Sequence, residues 1–225
     1  MNHGQIFLDP LRRILELGGP VVAILICVSI ITLATVLFKL WQFRAAGVGR
    51  HRTLQQAIAE WDHGQTPAAL RTLRASPSHL APVVLMAMEQ SAPGDRLVAE
   101  AETGFARLEG GFRLLDSVVQ LSPLLGLFGT VLGMIEAFQS LQQAGSSVDP
   151  SLLAGGIWVA LMTTAVGLAV AMPSSVVLSW LESRIESDRV MADRAFATVL
   201  APLGATVAAA SPAVPLPSQG LVHVT

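Results

Sequence analysis

Residues 117–135 read SVVQLSPLLGLFGTVLGMI, and residues 153–173 read LAGGIWVALMTTAVGLAVAMP. Neither stretch contains a charged side chain. About 20 consecutive apolar residues cross a bilayer core as a helix, because every backbone polar group must be satisfied inside the segment. The first stretch meets that length and continues past Glu136 to Leu141. The second lies inside a longer uncharged run, 151–181, which as a helix is roughly 46 Å long. That exceeds the hydrocarbon thickness, so this helix is expected to project beyond the bilayer. A third run, 17–38, is closed by Lys39, Trp41 and Arg44, which read as an interfacial anchor. The fold expected is therefore all-α, with three membrane spans.

Composition agrees. Of 225 residues, 52% are hydrophobic and 13% charged, with a mean hydropathy of +0.58. A soluble domain carries about 25% charged residues, so much of this surface is expected to meet lipid. The formal net charge of −2 provides no basic field to attract nucleic acid. The single cysteine, Cys27, lies in an apolar run and reads as a small packing residue. His3, His51, His63, His79 and His223 are scattered outside the spans and read as solvated loop residues. No metal site, cofactor or catalytic residue is expected. The spans hold no nucleophile–base pair, and no glycine-rich phosphate loop follows a strand. The first apolar run is too long for a signal peptide's core and lacks a clear small-residue cleavage site, so it is expected to be retained.

The cations set an orientation. Arg12 and Arg13 precede the first span, and nine cations lie between the first and second: Lys39, Arg44, Arg50, Arg52, Arg71, Arg74, Arg96, Arg107 and Arg113. None lies between the second and third spans, and Arg184, Arg189 and Arg194 follow the third. Positive charge is held on the cytoplasmic side, which puts the N-terminus outside and both the middle segment and the C-terminus inside.

The middle segment reads as helical. Leu54, Ile58 and Trp61 share one face. Gly64 and Pro67 end that helix, and 68–74 forms a short second one. A third follows Ser76-Pro77 with Val83, Val84, Met86, Ala87 and Met88, and Pro93-Gly94 closes it. Leu97, Ala101, Phe105 and Leu108 then repeat at helical spacing, and despite Gly110-Gly111 one long helix is expected to run into the second span. The Met86/Met88 and Arg71/Arg74 pairs read as core filler and solvated face. The tail 211–225, with Pro212, Pro215 and Pro217, reads as disordered.

The first span, rich in Ile, Val and Leu, suits a helix facing lipid on most sides. The other two differ from it. In the second, Ser122, Gly126, Gly129, Thr130, Gly133 and Ala137 recur three or four residues apart. In the third, Gly156, Ala160, Thr163, Thr164, Gly167 and Ala171 do the same. Such stripes let helix backbones approach closely, and two on consecutive spans imply a close-packed oligomer, a narrow lumen, or both. Thr130 and Thr164 sit mid-span, where a threonine either bonds back to its own helix or lines a wet cavity. Pro123 and Pro173 each remove a helix hydrogen bond.

Residues 122–138, SPLLGLFGTVLGMIEAF, together with 153–173, strongly resemble the second- and third-span motifs of the MotA/TolQ/ExbB proton-channel family, in order and at the family's separation. The likeness is nearest to ExbB and TolQ. It implies a homopentamer around a central lumen, occupied by the single transmembrane helices of an ExbD- or TolR-like partner that carries a membrane aspartate. Motion passes to a TonB- or TolA-like protein spanning the periplasm. On this reading Thr130, Thr164 and Thr163 line the lumen, Pro123 and Pro173 provide helix breaks, and Gly126, Gly129, Gly133, Gly156, Ala160, Gly167 and Ala171 pack helices. The chain then divides into a periplasmic segment 1–16, spans 17–41, 114–143 and 151–182, a cytoplasmic helical segment 42–113, a periplasmic loop 144–150, and a cytoplasmic helix and tail 183–225. The implied function is an inner-membrane proton-channel subunit driving outer-membrane transport. The alternatives are a TolQ-like envelope-maintenance subunit or a non-conducting scaffold. Where the family commonly has a glutamate in the third span, this chain has Val159. Glu136 lies at a matching depth and is a candidate substitute, although its azimuth turns away from Thr130.

Overall fold

The computed structural model of the chain describes residues 3–144 and 150–202. Residues 145–149 of the expected outer loop, and the expected disordered tail 211–225, lie outside them. Seven helices are described: α1 (His3–Ala46), α2 (Arg52–Asp62), α3 (Thr66–Arg74), α4 (Ala81–Met88), α5 (Gly94–Glu109), α6 (Phe112–Ala144) and α7 (Pro150–Leu200). No strand occurs among the described residues. Three stretches are long and apolar enough to cross a membrane: Gly19–Ala46, Phe112–Gln143 and Leu153–Leu200. α1 is interrupted at Gly19 (φ 62°, ψ −163°), where the extended ψ suits a residue preceding Pro20. The 51 residues of α7 make a helix of about 76 Å, well beyond a bilayer's hydrocarbon, as the length of the third run predicts.

The chain forms two units, one of residues 1–45 and 105–186, the other of 46–104 and 187–225. The second has its own core, with Leu54 and Ile58 of α2, Leu73 of α3, Val84 of α4, Leu97 of α5 and Phe196 of α7 all buried. The helix faces read from the sequence are the buried ones. Trp61 completes the α2 face by donating its indole N–H to the Val199 carbonyl at 3.3 Å. Pro67 and Pro82 sit in the first turns of α3 and α4, where no intrahelical N–H is required. Met88 is buried, and Arg74 lies on the surface with Glu89 at 3.2 Å. His63 is exposed, whereas His51 and His79 are not solvated loop residues. Both turn inward onto the buried carboxylate of Asp188, and their side chains are only 13% and 14% exposed.

In the first unit, two expectations change together. α5 does not run on into α6: it stops at Glu109, and Gly111 (φ 92°) turns the chain before Phe112 starts α6. Lys39 explains the stop. Lys39 is 2% exposed, and its ammonium donates to the Leu108 carbonyl at 3.1 Å and to Gln42 Oε1 at 2.7 Å. It also lies 5.8 Å from the centre of the Phe112 ring. A cation at the carbonyl-rich end of a helix is favourable, and here it satisfies a group that the break leaves open. Of the three residues read as an anchor, Trp41 and Arg44 are exposed, whereas Lys39 is a buried cap.

Two glycines of the second unit are expected to respond oppositely to alanine. Gly47 has φ 67°, and a Cβ there would collide with the Pro77 carbonyl oxygen, so Gly47→Ala costs at least about 1–2 kcal/mol of backbone strain before the clash. Gly104 lies inside α5 with open space around it, and Gly104→Ala gains about 0.5–1 kcal/mol. Thermal unfolding in detergent should move down by several degrees for the first and slightly up for the second.

Candidate functional site

The two small-residue stripes face each other within one chain. A Cβ placed on Gly126 would lie 3.0 Å from the Thr163 carbonyl oxygen and 3.0 Å from Thr164 Cα. On Gly129 it would lie 2.6 Å from Thr163 Oγ1, on Gly133 3.1 Å from Ala160 Cβ, and on Gly167 2.5 Å from the Ser122 carbonyl oxygen. One on Gly156 would overlap Ala137 Cβ. The partners of ascending α6 positions descend along α7, so the two helices run antiparallel with backbones in near contact. Ala137, Ala160 and Ala171 are buried. Val21 of α1 closes on the same seam, within 3.1 Å of the Cβ position of Gly129.

Beyond the seam these helices are bare. Only 22% of the α1 span, 22% of the α6 span and 17% of the α7 span is buried. Leu121, Leu124, Leu127, Phe128 and Val131 of α6, with Trp158, Leu161, Met172 and Val176 of α7, are all at least half exposed. Cys27 of α1 is exposed as well. A surface this apolar is stable only against lipid or other helices.

The hydroxyls divide by environment. Thr163 is 2% exposed and belongs to the seam. Its Oγ1 lies 2.7 Å from the Ala160 carbonyl oxygen and 3.2 Å from that of Gly126, and its one proton serves either at a time. Thr130 is half-buried and donates to the Leu127 carbonyl at 2.6 Å. Thr164 is half-buried, but its Oγ1 is enclosed without a hydrogen-bond partner among the described residues. Ser122, fully buried one turn further along the seam, shares that condition. The position of Ser122 in the small-residue stripe suggested size alone and not an enclosed hydroxyl.

Pro123 and Pro173 lie inside α6 and α7, which continue through them. Each proline leaves the carbonyl four residues back, on Val119 and Ala169, without its helical N–H. Beside the second break, Ser174 donates to the Val170 carbonyl at 2.7 Å. Glu136 is exposed on α6 and Val159 half-buried on α7. The facing pairs Gly133/Ala160 and Ala137/Gly156 bracket both, so the two share one level of the seam.

The MotA/TolQ/ExbB proton channel family matches residues 69–193, and the chain belongs to that family. An ExbB-like biopolymer transport protein of Synechocystis is 32% identical over 193 residues, covering 81% of this chain and 76% of that protein. The biopolymer transport protein ExbB1 of Vibrio cholerae is 43% identical over 86 residues, 38% of this chain and 37% of that one. The Tol-Pal system protein TolQ of Haemophilus influenzae is 38% identical over 80 residues, 36% and 35% of the two chains. With its three apolar helices, the chain is a multi-pass inner-membrane protein.

The seam makes a graded prediction. Gly167→Val forces α6 and α7 apart against backbone, a cost of about 1–3 kcal/mol. Gly155→Val, at an exposed position with nothing within 4 Å, is expected to be nearly neutral. A detergent melting temperature lowered by several degrees in the first variant and unchanged in the second is the expected pair of results.

Proposed function

We propose that this chain is the proton-channel subunit of an ExbB-like motor, working as several copies around a lumen and not as an enzyme. The observation that carries the reading is the composition of the α6–α7 pair. It is held by a dry small-residue seam, is bare on its outer faces, and carries Thr130 and Thr164 outside the seam's fully buried core. Copies of such a pair placed side by side, five on the family's pattern, cover the bare apolar faces and surround a space beside which Thr130 and Thr164 lie. An ExbD/TolR-like helix with a membrane aspartate occupies that space, and a TonB/TolA-like protein receives the motion. The arginine distribution supports an N-terminus in the periplasm, with the C-terminus and the unit of α2–α4 in the cytoplasm. A relative similar over 81% of this chain bears an ExbB name, which supports the outer-membrane transport role; the similarity to TolQ over 36% of the chain supports the TolQ-like role as the alternative.

Co-purification with a neighbouring one-span protein, followed by native mass spectrometry, tests the assembly. Five copies of this chain with two or three of the partner are expected. A lone chain, or an assembly without an aspartate-bearing partner, supports the scaffold reading instead.

In vesicles containing that complex, Thr164→Val and Thr130→Val are each expected to cut proton flux roughly tenfold, the equivalent of one hydrogen bond lost from the conducting path. Unchanged flux in both variants excludes them from that path. Glu136 is the acid available at the level of Val159, and Glu136→Gln is expected to lower flux as well. Undiminished flux there would leave Glu136 as an interfacial residue.

A further inference from the structure

Asp188 is a carboxylate with 0% of its surface exposed, in a unit whose buried residues are otherwise nearly all apolar. Two imidazoles reach it from separate turns. His51, just before α2, places Nε2 2.5 Å from Asp188 Oδ1, and His79, just before α4, places Nδ1 3.5 Å from Oδ2. The three segments are far apart in the chain, with 137 positions separating His51 from Asp188. Their meeting ties the turn that begins the unit and the turn between α3 and α4 to the C-terminal part of α7. The Gly47 backbone against the Pro77 carbonyl brings the same two turns together.

The other charges on these elements are exposed, half-buried or paired with other groups. Arg50 and Arg52, flanking His51, are exposed, as are Glu186, Asp193 and Arg194 of α7. Arg189, adjacent to Asp188, pairs with Glu102 of α5 at 3.4 Å. Glu60 of α2 accepts from Thr72 and Gln56, and Arg74 of α3 pairs with Glu89 at the end of α4. Asp95, Arg96 and Glu100 of α5, and His63 after α2, are exposed, and Asp62 is half-buried. Asp188 and His51 both act electrostatically on His79, in opposite directions. The trio is not arranged to hold a metal ion.

Charge counting then gives the device. An ionised Asp188 with one imidazolium is neutral overall, the state a buried site tolerates best. A second proton leaves the trio itself with a net positive charge. We propose that His51, His79 and Asp188 form a proton-sensitive latch, closed with one proton shared by the two imidazoles and opened by a second. Burial holds His79 below its ordinary value of 6.5, with the His51 charge acting in the same direction and Asp188 opposing it. The sign follows from that depression. Above about pH 6.5 neither the folded nor the unfolded His79 binds the second proton, so the latch is intact. As pH falls below this, the unfolded chain takes up the proton first, and stability is lost down to the lowered folded value. In the orientation proposed above, the latch reads cytoplasmic pH on the side where a proton-driven motor releases its protons. That meaning rests on the proposed function; the latch itself does not.

Hydrogen exchange on the purified full chain in detergent tests it, comparing pH 7.5 with pH 5.5 after correction for intrinsic exchange. Amides over 50–55 and 79–84 are expected to lose protection on the order of tenfold per pH unit in the acid range, the effect of one proton, while amides of the α6–α7 seam do not change. His79→Gln, which cannot take the second proton, is expected to flatten the acid response. Asp188→Asn removes the only anion of the trio, so that the folded site disfavours both protons, and is expected to steepen the acid response without moving its onset. Wild-type protection independent of pH, or an acid response unchanged in either variant, overturns the latch. Because these measurements need no partner and no membrane orientation, they can fail while the motor reading stands, and the reverse holds equally.

Discussion

The contact between the α6 and α7 backbones is the constraint on which the membrane unit depends. Gly126, Gly133 and Gly167 stand where a methyl group would meet backbone or Ala160, so the helices are held by close van der Waals packing and not by interlocking large side chains. In lipid this is an effective way to join helices, because burying a leucine against another leucine gains little over burying it against an acyl chain. The consequence is a division of labour. Small residues form the seam, the bulky residues are displaced to the outside, and hydroxyls that would be costly in lipid are kept at or beside the seam.

Each part of that division was legible in the sequence to a different degree. The spans were plain, since their lengths and lack of charge leave little else for a helix to do. The stripes were plain as well, but not their partner. A small-residue face records that something approaches closely, and only the antiparallel register of Gly126 with Thr163 and Gly133 with Ala160 shows that the two stripes serve each other. Thr163 illustrates the difference. It stands next to Thr164 and looked equivalent, yet one residue is about 100° of helix rotation, enough to place Thr163 inside the seam and Thr164 at its margin.

The break between α5 and α6 and the inward turn of His51 and His79 were hidden for another reason. Helical periodicity runs through Leu108 and Phe112 almost without a pause, and Gly110-Gly111 alone is weak evidence because glycine is tolerated in long helices. What fixes the break is Lys39, 69 positions away from the carbonyl it caps. Asp188 likewise sits on a helix where a carboxylate would ordinarily be solvent-facing, and its partners arrive from two turns. Periodicity carries information over one or two turns of helix, whereas both of these features depend on which segments the fold brings together.

Lys39 and Asp188 are a comparison in themselves. Each is a charge that the fold encloses, and each is retained by a different means. Lys39 directs its ammonium to a helix-end carbonyl and an amide and lies against two aromatic rings, so its charge is met by dipoles and quadrupoles that do not titrate. Asp188 is met by imidazoles, the side chain whose ordinary value lies nearest neutrality. Their use makes the second unit sensitive to protons, which the packing of the membrane unit, built from glycine, alanine and aliphatic side chains, has no means to be.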